Sequence, residues 1–311
     1  MKSSGIGGQA VMEGIMMRNG SEYSVAVRKE NGEIEVKKET YKGVGSKCKL
    51  FRLPFIRGIF SFVDSLVLGM KSLNYSASLF MEDGEEEEEP GRFEKWLQKK
   101  FGDKAEKVIM DLTMVISIIL AMGIFMVFPT WVSTLMKPLL GNGIWMALFE
   151  GVLRIAIFIA YVGLISLMPD IKRTYMYHGA EHKCINCIEH GLPLTVENVM
   201  KSSKEHKRCG TSFLLIVMVI SILCFLLIRP ETLWLRLVSR ILLIPVIAGV
   251  SFEFLRLAGN SDNPVVNLLS KPGLMLQGLT TKEPDEKMAE VAICAVEAVF
   301  DWKAYEEANF N

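Results

Sequence analysis

The sequence predicts a mainly α-helical polytopic membrane protein with a small β-rich module at its N-terminus. Two observations support this prediction: apolar stretches long enough to cross a bilayer, and an N-terminal segment in which apolar and polar residues alternate. The 311 residues are 50% hydrophobic, and 35 acidic residues balance 35 lysines and arginines. This composition excludes a disordered or collagen-like chain. The zero net charge argues against a dedicated nucleic-acid-binding protein, which would have a basic excess.

Two stretches of the chain contain no charged residue and have the length of a membrane span. One of 25 residues lies between Asp111 and Lys137, and one of 20 residues lies between Arg208 and Arg229. A helix needs about 20 apolar residues to cross a hydrocarbon core about 30 Å thick. Two further apolar segments contain a few charges. We therefore predict four transmembrane helices, near residues 112–135, 144–168, 212–228 and 235–257.

Short links at 136–143 and 229–234 would pair the four spans into two hairpins. The region between the hairpins, 169–211, contains seven lysines and arginines, and the positive-inside rule therefore predicts that it is cytoplasmic. Four spans then place both termini in the cytoplasm as well. Residues 1–25 lack the basic start and apolar run of a secretory signal. The predicted location is the cytoplasmic membrane, with the soluble parts inside the cell.

The hydropathy pattern divides the chain into consecutive segments. Near the N-terminus, alternating runs flank Asn31-Gly32, which predicts a β-hairpin with a type I′ turn. Apolar residues then recur at helical spacing over 55–75, and such a helix fits either the membrane interface or the transmembrane bundle. The predicted segments are a cytoplasmic β-rich module (1–50), an amphipathic interfacial helix (51–81), an acidic linker with a juxtamembrane helix (82–110), the first hairpin (111–168), a cytoplasmic His/Cys-rich segment (169–211), the second hairpin (212–258) and C-terminal cytoplasmic helices (259–311).

Charge patterns add detail to three of these segments. Residues 82–89 are almost all acidic, which is typical of a solvated linker. Residues 92–107 mix aromatic and basic side chains, which predicts one helix in contact with anionic lipid head groups. Near the C-terminus, Thr280-x-x-Glu283 before Pro284 resembles a capping box. It would start a helix that docks through the apolar positions of 291–299.

All four histidines lie in the predicted cytoplasmic segment. His178 and His182 are four residues apart, so on a helix both imidazoles project from one face and can reach one ion. With Glu181 they form H-x-x-E-H, the order in which inverzincin peptidases place two zinc ligands and a general base. A catalytic zinc needs a third protein ligand and an open position for water. We favour His206 or Cys209 as that ligand; the other candidates are His190, Glu197 and Glu205.

Three interpretations of the histidine cluster stay open. It binds a catalytic metal, it binds a structural metal, or it only forms hydrogen bonds where helices pack. In the first case the expected cofactor is a divalent metal, zinc, and Glu181 is the base that activates metal-bound water for a hydrolysis at the membrane face. Cys184 and Cys187 have the spacing of a thiol or metal pair. Disulfides are not expected, because the cytoplasm is reducing.

Charged residues inside the predicted spans are a second feature, because such residues are costly unless they are paired or face water. Glu150 and Arg154 are an i,i+4 pair, and Glu253 precedes Arg256 by three residues. They either fix helix packing or line a polar cavity. A transport function would rest on these residues alone.

A non-catalytic function is the main alternative to a metal-dependent hydrolase. Basic faces at 28–52 and 92–107 fit a membrane factor that docks on the protein insertion or translation machinery. The expected partners are the lipid bilayer and proteins at the cytoplasmic face. Sequence-specific nucleic-acid binding is not expected.

Several motifs occur along the chain: GGQAVMEG at 7–14 with Met17-Arg18, HGAEHK at 178–183, and H-x-RCGTSF at 206–213, extended by short segments at 272–277 and 279–284. Together they resemble the motifs of the YqhQ-like family of bacterial membrane proteins. The resemblance covers about residues 5–300. It implies a multi-span membrane protein, and the family, largely uncharacterised, is described as predicted metal-dependent enzymes. By these motifs Glu13, Arg18 and Arg208 join the candidate site residues.

Overall fold

The computed structural model describes residues 2–44, 51, 53–81, 91–102, 105–141, 143–228, 230, 232–261 and 263–310. The predicted acidic linker at 82–89 lies outside the described residues. The chain divides into two compact units. The first unit comprises Met1–Phe80, Ile159–Ser221 and Leu242–Asn311, and the second comprises Met81–Phe158 and Ile222–Ile241.

In the first unit, the N-terminal residues form the predicted β-structure, an antiparallel sheet in the order β1-β2-β3-β4. Each strand pairs with its sequence neighbour; Val25 of the third strand, for instance, pairs with Met16 on one side and Lys37 on the other. Short turns join consecutive strands, as expected when segments of alternating apolar and polar residues are only a few residues apart. The strands are β1 (Gly7–Val11), β2 (Gly14–Asn19), β3 (Glu22–Arg28) and β4 (Ile34–Thr40).

The hairpin predicted at Asn31-Gly32 is present, but its turn is not type I′. The backbone N–H of Lys29 donates to Glu33 O and that of Gly32 donates to Lys29 O, both at 2.9 Å, so the loop has three residues. Within this loop only Gly32 has a positive φ, +88°. The third loop residue lets Asn31 keep a negative φ, and glycine takes the left-handed position without steric cost.

Helix α1 (Ile56–Met81) packs on the sheet through a largely polar face. Asp64 on this face accepts hydrogen bonds from the Tyr41 hydroxyl (3.1 Å) and the Val44 N–H (2.9 Å). Leu68 joins a small core under the sheet. The buried residues of α1 in the described part of the chain are Gly58, Asp64, Leu68, Gly69, Ser72 and Ser76.

Most of the predicted apolar stripe of α1, namely Val63, Val67, Met70 and Leu73, is on its exposed side. An amphipathic helix of a soluble protein turns such a stripe inward, whereas a helix at a membrane surface turns it toward lipid. This orientation agrees with the predicted interfacial helix. The N-terminal part of α1 also contacts two of the predicted spans, since a Cβ on Gly58 would lie 2.7 Å from Phe252 Cβ and the ring centroids of Phe62 and Phe213 are 5.6 Å apart. Both predicted positions of this helix therefore stay open. The exposed stripe consists of Phe62, Val63, Leu66, Val67, Met70 and Leu73.

The larger core of the first unit lies between the sheet and two helices, α7 (Pro169–Glu189) and α12 (Glu286–Glu297). The predicted apolar face at 291–299 is buried in this core. Its helix begins later than the capping-box pattern predicted, because Asp285 is the N-cap and accepts a hydrogen bond from the Met288 N–H (2.8 Å). Thr280 instead ends a preceding helix. The other helices of this part are α8 (Val196–Lys201), α11 (Pro264–Thr280) and α13 (Trp302–Phe310).

Four helical stretches are long and apolar enough to cross a membrane, in the four predicted regions. Large apolar side chains cover their outer surfaces, as lipid-facing helices require. The stretches are Val108–Leu135, Ile144–Ile165, Gly210–Leu227 and Trp234–Gly259. The helices that build them are α3 (Ala105–Met122), a π-helical turn (Gly123–Val127), α4 (Phe128–Leu135), α6 (Ile144–Ile165), α9 (Gly210–Leu227) and α10 (Leu233–Gly259), with the short α5 (Lys137–Leu140) after α4.

The single helix predicted for 92–107 is divided. Helix α2 (Arg92–Phe101) ends before Gly102, which has a positive φ of +54°, and α3 begins at Ala105. A left-handed glycine after the last helical residue is a common helix terminator. Trp96 and Phe101 on α2 are exposed, as expected for the predicted aromatic anchors.

Candidate metal centre

Helix α7 places the two histidines of the H-x-x-E-H motif one turn apart. It starts at Pro169, and proline suits the first turn of a helix because its missing N–H has no partner there. The ring centroids of His178 and His182 are 4.4 Å apart. Both imidazoles therefore face the same small volume, as their spacing predicted.

Cys209 supplies a third ligand atom from the residue just before α9. One ligand atom each from His178, His182 and Cys209 lies within 4.8 Å of the other two. The Cys209 Sγ is 3.3 Å from His178 Nε2. Thr211 supports the thiol, with its N–H donating to Sγ at 3.4 Å and its hydroxyl 3.0 Å away. Two imidazoles and a thiolate are ligand types that zinc prefers.

Backbone carbonyls fix the orientation of both imidazole rings. His178 Nδ1 is 2.9 Å from Thr280 O, and His182 Nδ1 is 2.7 Å from Lys204 O. A carbonyl only accepts hydrogen bonds, so each Nδ1 donates, and in a neutral ring the lone pair is then on Nε2. This is the arrangement by which proteins orient histidine ligands of metal ions.

Glu181 lies beside the three ligand atoms. Its Oε2 is 4.0 Å from His178 Nε2, and its side chain is buried. Burial raises the pKa of this carboxyl, against the opposing effects of His178 and of a hydrogen bond from the Gly8 backbone. Strand β1 comes so close that a Cβ on Gly8 would lie 2.8 Å from Glu181 Cγ. The glycine-rich N-terminal motif thus encloses the glutamate.

His206 is outside the group of three ligand atoms. Its ring centroid is 5.8 Å from that of His182. Its Nε2 is 3.4 Å from a Glu189 carboxylate oxygen, and its Nδ1 accepts the Arg208 N–H at 3.4 Å. Burial lowers the pKa of His206, so the neutral ring donates through Nε2 and accepts through Nδ1. Of the two favoured third ligands, the geometry groups Cys209 with the histidine pair and gives His206 a supporting position.

Glu189 is a fully buried carboxylate that the sequence analysis did not single out. Burial opposes its ionisation, but hydrogen bonds from His206 and Arg208 outweigh burial and bring the pKa of Glu189 to about 2. Arg208 forms an ion pair with it through both terminal nitrogens, and the Ser4 N–H donates to it at 2.8 Å. The ion pair fixes the segment that leads into Cys209.

Gln277 is a second residue that chemical patterns missed. Its amide is fully buried, accepts the His206 N–H at 2.9 Å and donates to both His206 O and Ser212 Oγ at 2.8 Å. One side chain of α11 thereby contacts residues on both sides of Cys209, the backbone of His206 and the hydroxyl of Ser212. Gln277 is far in sequence from the histidines and Cys209, so no local pattern marks it as part of their site. Only the resemblance at 272–277 includes it.

Comparison with known proteins identifies the family. The family model "Protein of unknown function (DUF1385)" matches residues 53–302. The chain belongs to this DUF1385 family. "Uncharacterized protein YqhQ" of Bacillus subtilis (strain 168) is 36% identical over 304 residues, which cover 97% of this chain and 94% of the relative. The resemblance to YqhQ-like proteins is thereby confirmed. No solved structure matches the chain.

The other candidate site residues of this DUF1385 protein lie apart from the three ligand atoms. Glu13, held at a positive φ of +50° in the β1–β2 turn, pairs with Arg173 and accepts the Tyr177 hydroxyl at 3.2 Å. The Arg18 Nε donates to Gly20 O at 2.9 Å. Both residues therefore organise the sheet and its contact with α7.

Two of the remaining third-ligand candidates and the cysteine pair are also placed elsewhere. The exposed His190 directs Nδ1 to Asn186 O at 2.7 Å, and Glu197 pairs with Lys201 on the surface of α8. Cys184 and Cys187 are buried in the core, where burial raises the pKa of both thiols. Such thiols are weak nucleophiles and weak metal ligands.

The charged residues of the spans separate into two groups in the DUF1385 fold. In the second unit Glu150 pairs with Arg154 at 2.9 Å, as its spacing predicted, and also with Arg240. In the first unit Glu253 pairs at 2.5 Å with Arg57 of α1. Among the described residues this ion pair replaces the one with Arg256 that the spacing suggested.

Proposed function

We propose that this chain is an integral membrane zinc protein in which His178, His182 and Cys209 bind one ion. The observation that carries the proposal is the convergence of these three ligand atoms within 4.8 Å of one another. Both histidines already have the tautomer that metal binding requires. Two nitrogens and one sulfur favour zinc over magnesium or calcium, which prefer oxygen ligands.

The proposed activity of the site is zinc-dependent hydrolysis. His178, His182 and Cys209 would hold the zinc as three protein ligands, and the ion would supply Lewis-acid activation of a water. Glu181, at 4.0 Å from His178 Nε2, is close enough to accept a proton from a group held between the histidines. The surrounding burial limits the substrate to one whose scissile group can enter a narrow site at the membrane face.

The proposed topology places this metal centre on the cytoplasmic side with both termini. Its support is the seven lysines and arginines of 169–211 and the positive-inside rule. The exposed apolar stripe of α1 supports a position of the sheet and α1 at the membrane surface. A cytoplasmic position also keeps Cys209 reduced.

A Glu181→Gln variant tests the proposed hydrolysis. The zinc-loaded full chain in detergent is assayed against chromogenic esters, peptides and phosphoesters, with zinc content measured on the same samples. We expect Glu181→Gln to keep its zinc and to lose about 10²–10⁴-fold of the hydrolytic rate. Glu197→Gln, which changes an exposed glutamate of α8, is the matched control and keeps the wild-type rate.

Two results would contradict the proposed activity. Wild-type hydrolysis by Glu181→Gln would remove this residue as the base. One bound zinc per chain without hydrolysis of any substrate class would assign the ion a structural role instead.

The second candidate function is a non-catalytic membrane factor for the protein insertion or translation machinery. The exposed Trp96, Lys99 and Lys100 of α2, with Lys100 Nζ 4.9 Å from the Trp96 ring, favour contact with an acidic partner or lipid head groups. Crosslinking in native membranes tests it. A reproducible partner lost on Lys99→Glu and Lys100→Glu supports this function, and partners that persist in the double variant count against it.

A further inference from the structure

A polar cavity of about 140 Å³ lies within the second unit, among α6, α9 and α10. Its lining includes one carboxylate, Glu150, and three guanidinium groups, those of Arg154, Arg236 and Arg240. The described lining therefore has an excess of two positive charges. These residues belong to helices long and apolar enough to cross a membrane, where unbalanced charge is costly. Such an excess is stabilised by an anion.

The single carboxylate of the cavity has no capacity left for a further cation. Glu150 is 2.9 Å from an Arg154 nitrogen and 2.6 Å from an Arg240 nitrogen. The hydroxyls of Thr130 and Ser133 lie 3.1 and 3.2 Å from it, and each also has a closer acceptor, Met126 O at 2.6 Å and Thr130 O at 2.8 Å. The two guanidinium groups already compensate the charge of this carboxylate.

Arg154 and Arg240 are held rigidly around this carboxylate. The Arg154 Nε donates at 2.9 Å to Phe125 O, which lies in the π-helical turn of 123–127. The guanidinium carbons of Arg154 and Arg240 lie 5.3 and 4.9 Å from the ring of Phe225. Their remaining nitrogens therefore have fixed positions at the cavity wall.

Arg236 provides the charge that the described residues do not balance. It is 8% exposed, and in the described part of the chain the one hydrogen bond of its guanidinium group runs from Nε to Pro230 O at 2.9 Å. Its two terminal nitrogens are thus left for the cavity that it lines. The cavity also borders Gly143, Met146 and the start of the 22-residue helix α6, whose first N–H groups have no partner within the helix.

We infer that this cavity binds a phosphate-type oxyanion. A guanidinium group can bind a phosphate through two parallel N–H···O hydrogen bonds. A helix N-terminus adds N–H donors and the positive end of the helix dipole. A single water needs about 10–15 Å³, so 140 Å³ accommodates a tetrahedral oxyanion. The same chemistry is offered by the phosphodiester of an anionic lipid and by free inorganic phosphate. The site is independent of the metal centre, since none of its residues belongs to the first unit.

The test has two arms, both with the full chain. In the first, the protein is purified in a detergent free of phospholipid, and its thermal unfolding is followed while inorganic phosphate replaces chloride at constant ionic strength. In the second, the protein is extracted from vesicles of phosphatidylglycerol and phosphatidylcholine, and native mass spectrometry counts the retained lipids of each type. Binding in the first arm assigns free phosphate, and selective retention of phosphatidylglycerol assigns a lipid head group.

Three variants make the test specific. Arg236→Gln removes the unbalanced guanidinium and leaves the Glu150 network in place, so we expect binding about tenfold to a hundredfold weaker. Arg256→Gln is the matched control, because Arg256 is an exposed arginine of the same helix outside the cavity. Glu150→Gln removes the single negative charge of the cavity, so this variant is expected to bind the anion more tightly than the wild type. Its expected effect is therefore opposite to that of Arg236→Gln. Absence of both phosphate stabilisation and phosphatidylglycerol retention would overturn the inference, as would equal binding by Arg236→Gln and Arg256→Gln.

Discussion

The Nε2 atom of His178 lies 3.3 Å from the Sγ atom of Cys209, 31 positions further along the chain. One atom belongs to the middle of α7 and the other to the residue before α9. The contact forms only when the loop between these helices is closed, and Gln277 and the Glu189–Arg208 ion pair hold that loop in place. Metal affinity and the stability of the first unit are therefore expected to change together.

A substitution at Gly8 tests whether metal affinity and the stability of the first unit change together. In Gly8→Ala the new Cβ would lie 2.8 Å from Glu181 Cγ, Met16 O and Met17 Sδ. We expect a loss of about 1–3 kcal/mol in the free energy of unfolding, together with weaker zinc binding. Gly7→Ala is the control, because a Cβ there meets nothing within 4 Å. Thermal unfolding and zinc titration of both variants check the prediction, and equal behaviour of the two would contradict it.

Glu189 predicts a pH dependence of stability. Its pKa is about 2 in the folded chain and about 4.3 when unfolded, so ionised Glu189 stabilises the fold above pH about 4.3 and loses this effect as the pH falls toward 2. The difference corresponds to about 3 kcal/mol. Wild type and Glu189→Gln are compared by thermal unfolding across this range. Their difference is expected to shrink as the solution is acidified.

The exposed pair of Glu197 and Lys201 provides the comparison for Glu189. Glu197→Gln is expected to leave the unfolding curve close to that of the wild type at every pH, because water screens this pair. A difference between wild type and Glu189→Gln that stays constant down to the lowest pH would show that the carboxylate is not the titrating group.

The exposed stripe of α1 predicts contact with lipid. Leu66 is 54% exposed on this stripe. A nitroxide attached to Leu66→Cys in a reconstituted bilayer is expected to be more accessible to dissolved oxygen than to a water-soluble nickel chelate. The same label at Glu197→Cys is expected to show the reverse. Equal accessibility at the two positions would place α1 away from the bilayer.

The parts of the fold that depend on local pattern could be predicted from the sequence. The four apolar spans follow from length and composition, and the strands around Asn31-Gly32 follow from alternation. The orientation of α1 could not be derived, because the usual rule turns an apolar stripe inward and here Asp64 and Leu68 face the sheet instead. Pattern also misjudged helix ends, as the N-cap at Asp285 illustrates.

The candidate site divides in the same way. His178 and His182 are four residues apart on one helix, so their spacing alone brings them together. Cys209 was one of several candidates for the third ligand, all distant in sequence from the histidine pair. Only the tertiary structure selects it from them. No chemical motif pointed to Glu189 or Gln277, because each acts across the fold, and only the resemblance at 272–277 included Gln277.

The metal content of the full chain, purified without a histidine tag, tests the proposed zinc centre most directly. Elemental analysis is expected to find about one zinc per chain in the wild type and a large loss in both His178→Ala and Cys209→Ala. Cys187→Ala, which changes a buried cysteine outside the group of ligand atoms, is expected to keep the ion. A wild-type zinc content near zero, or a content unchanged in His178→Ala and Cys209→Ala, would contradict the proposal.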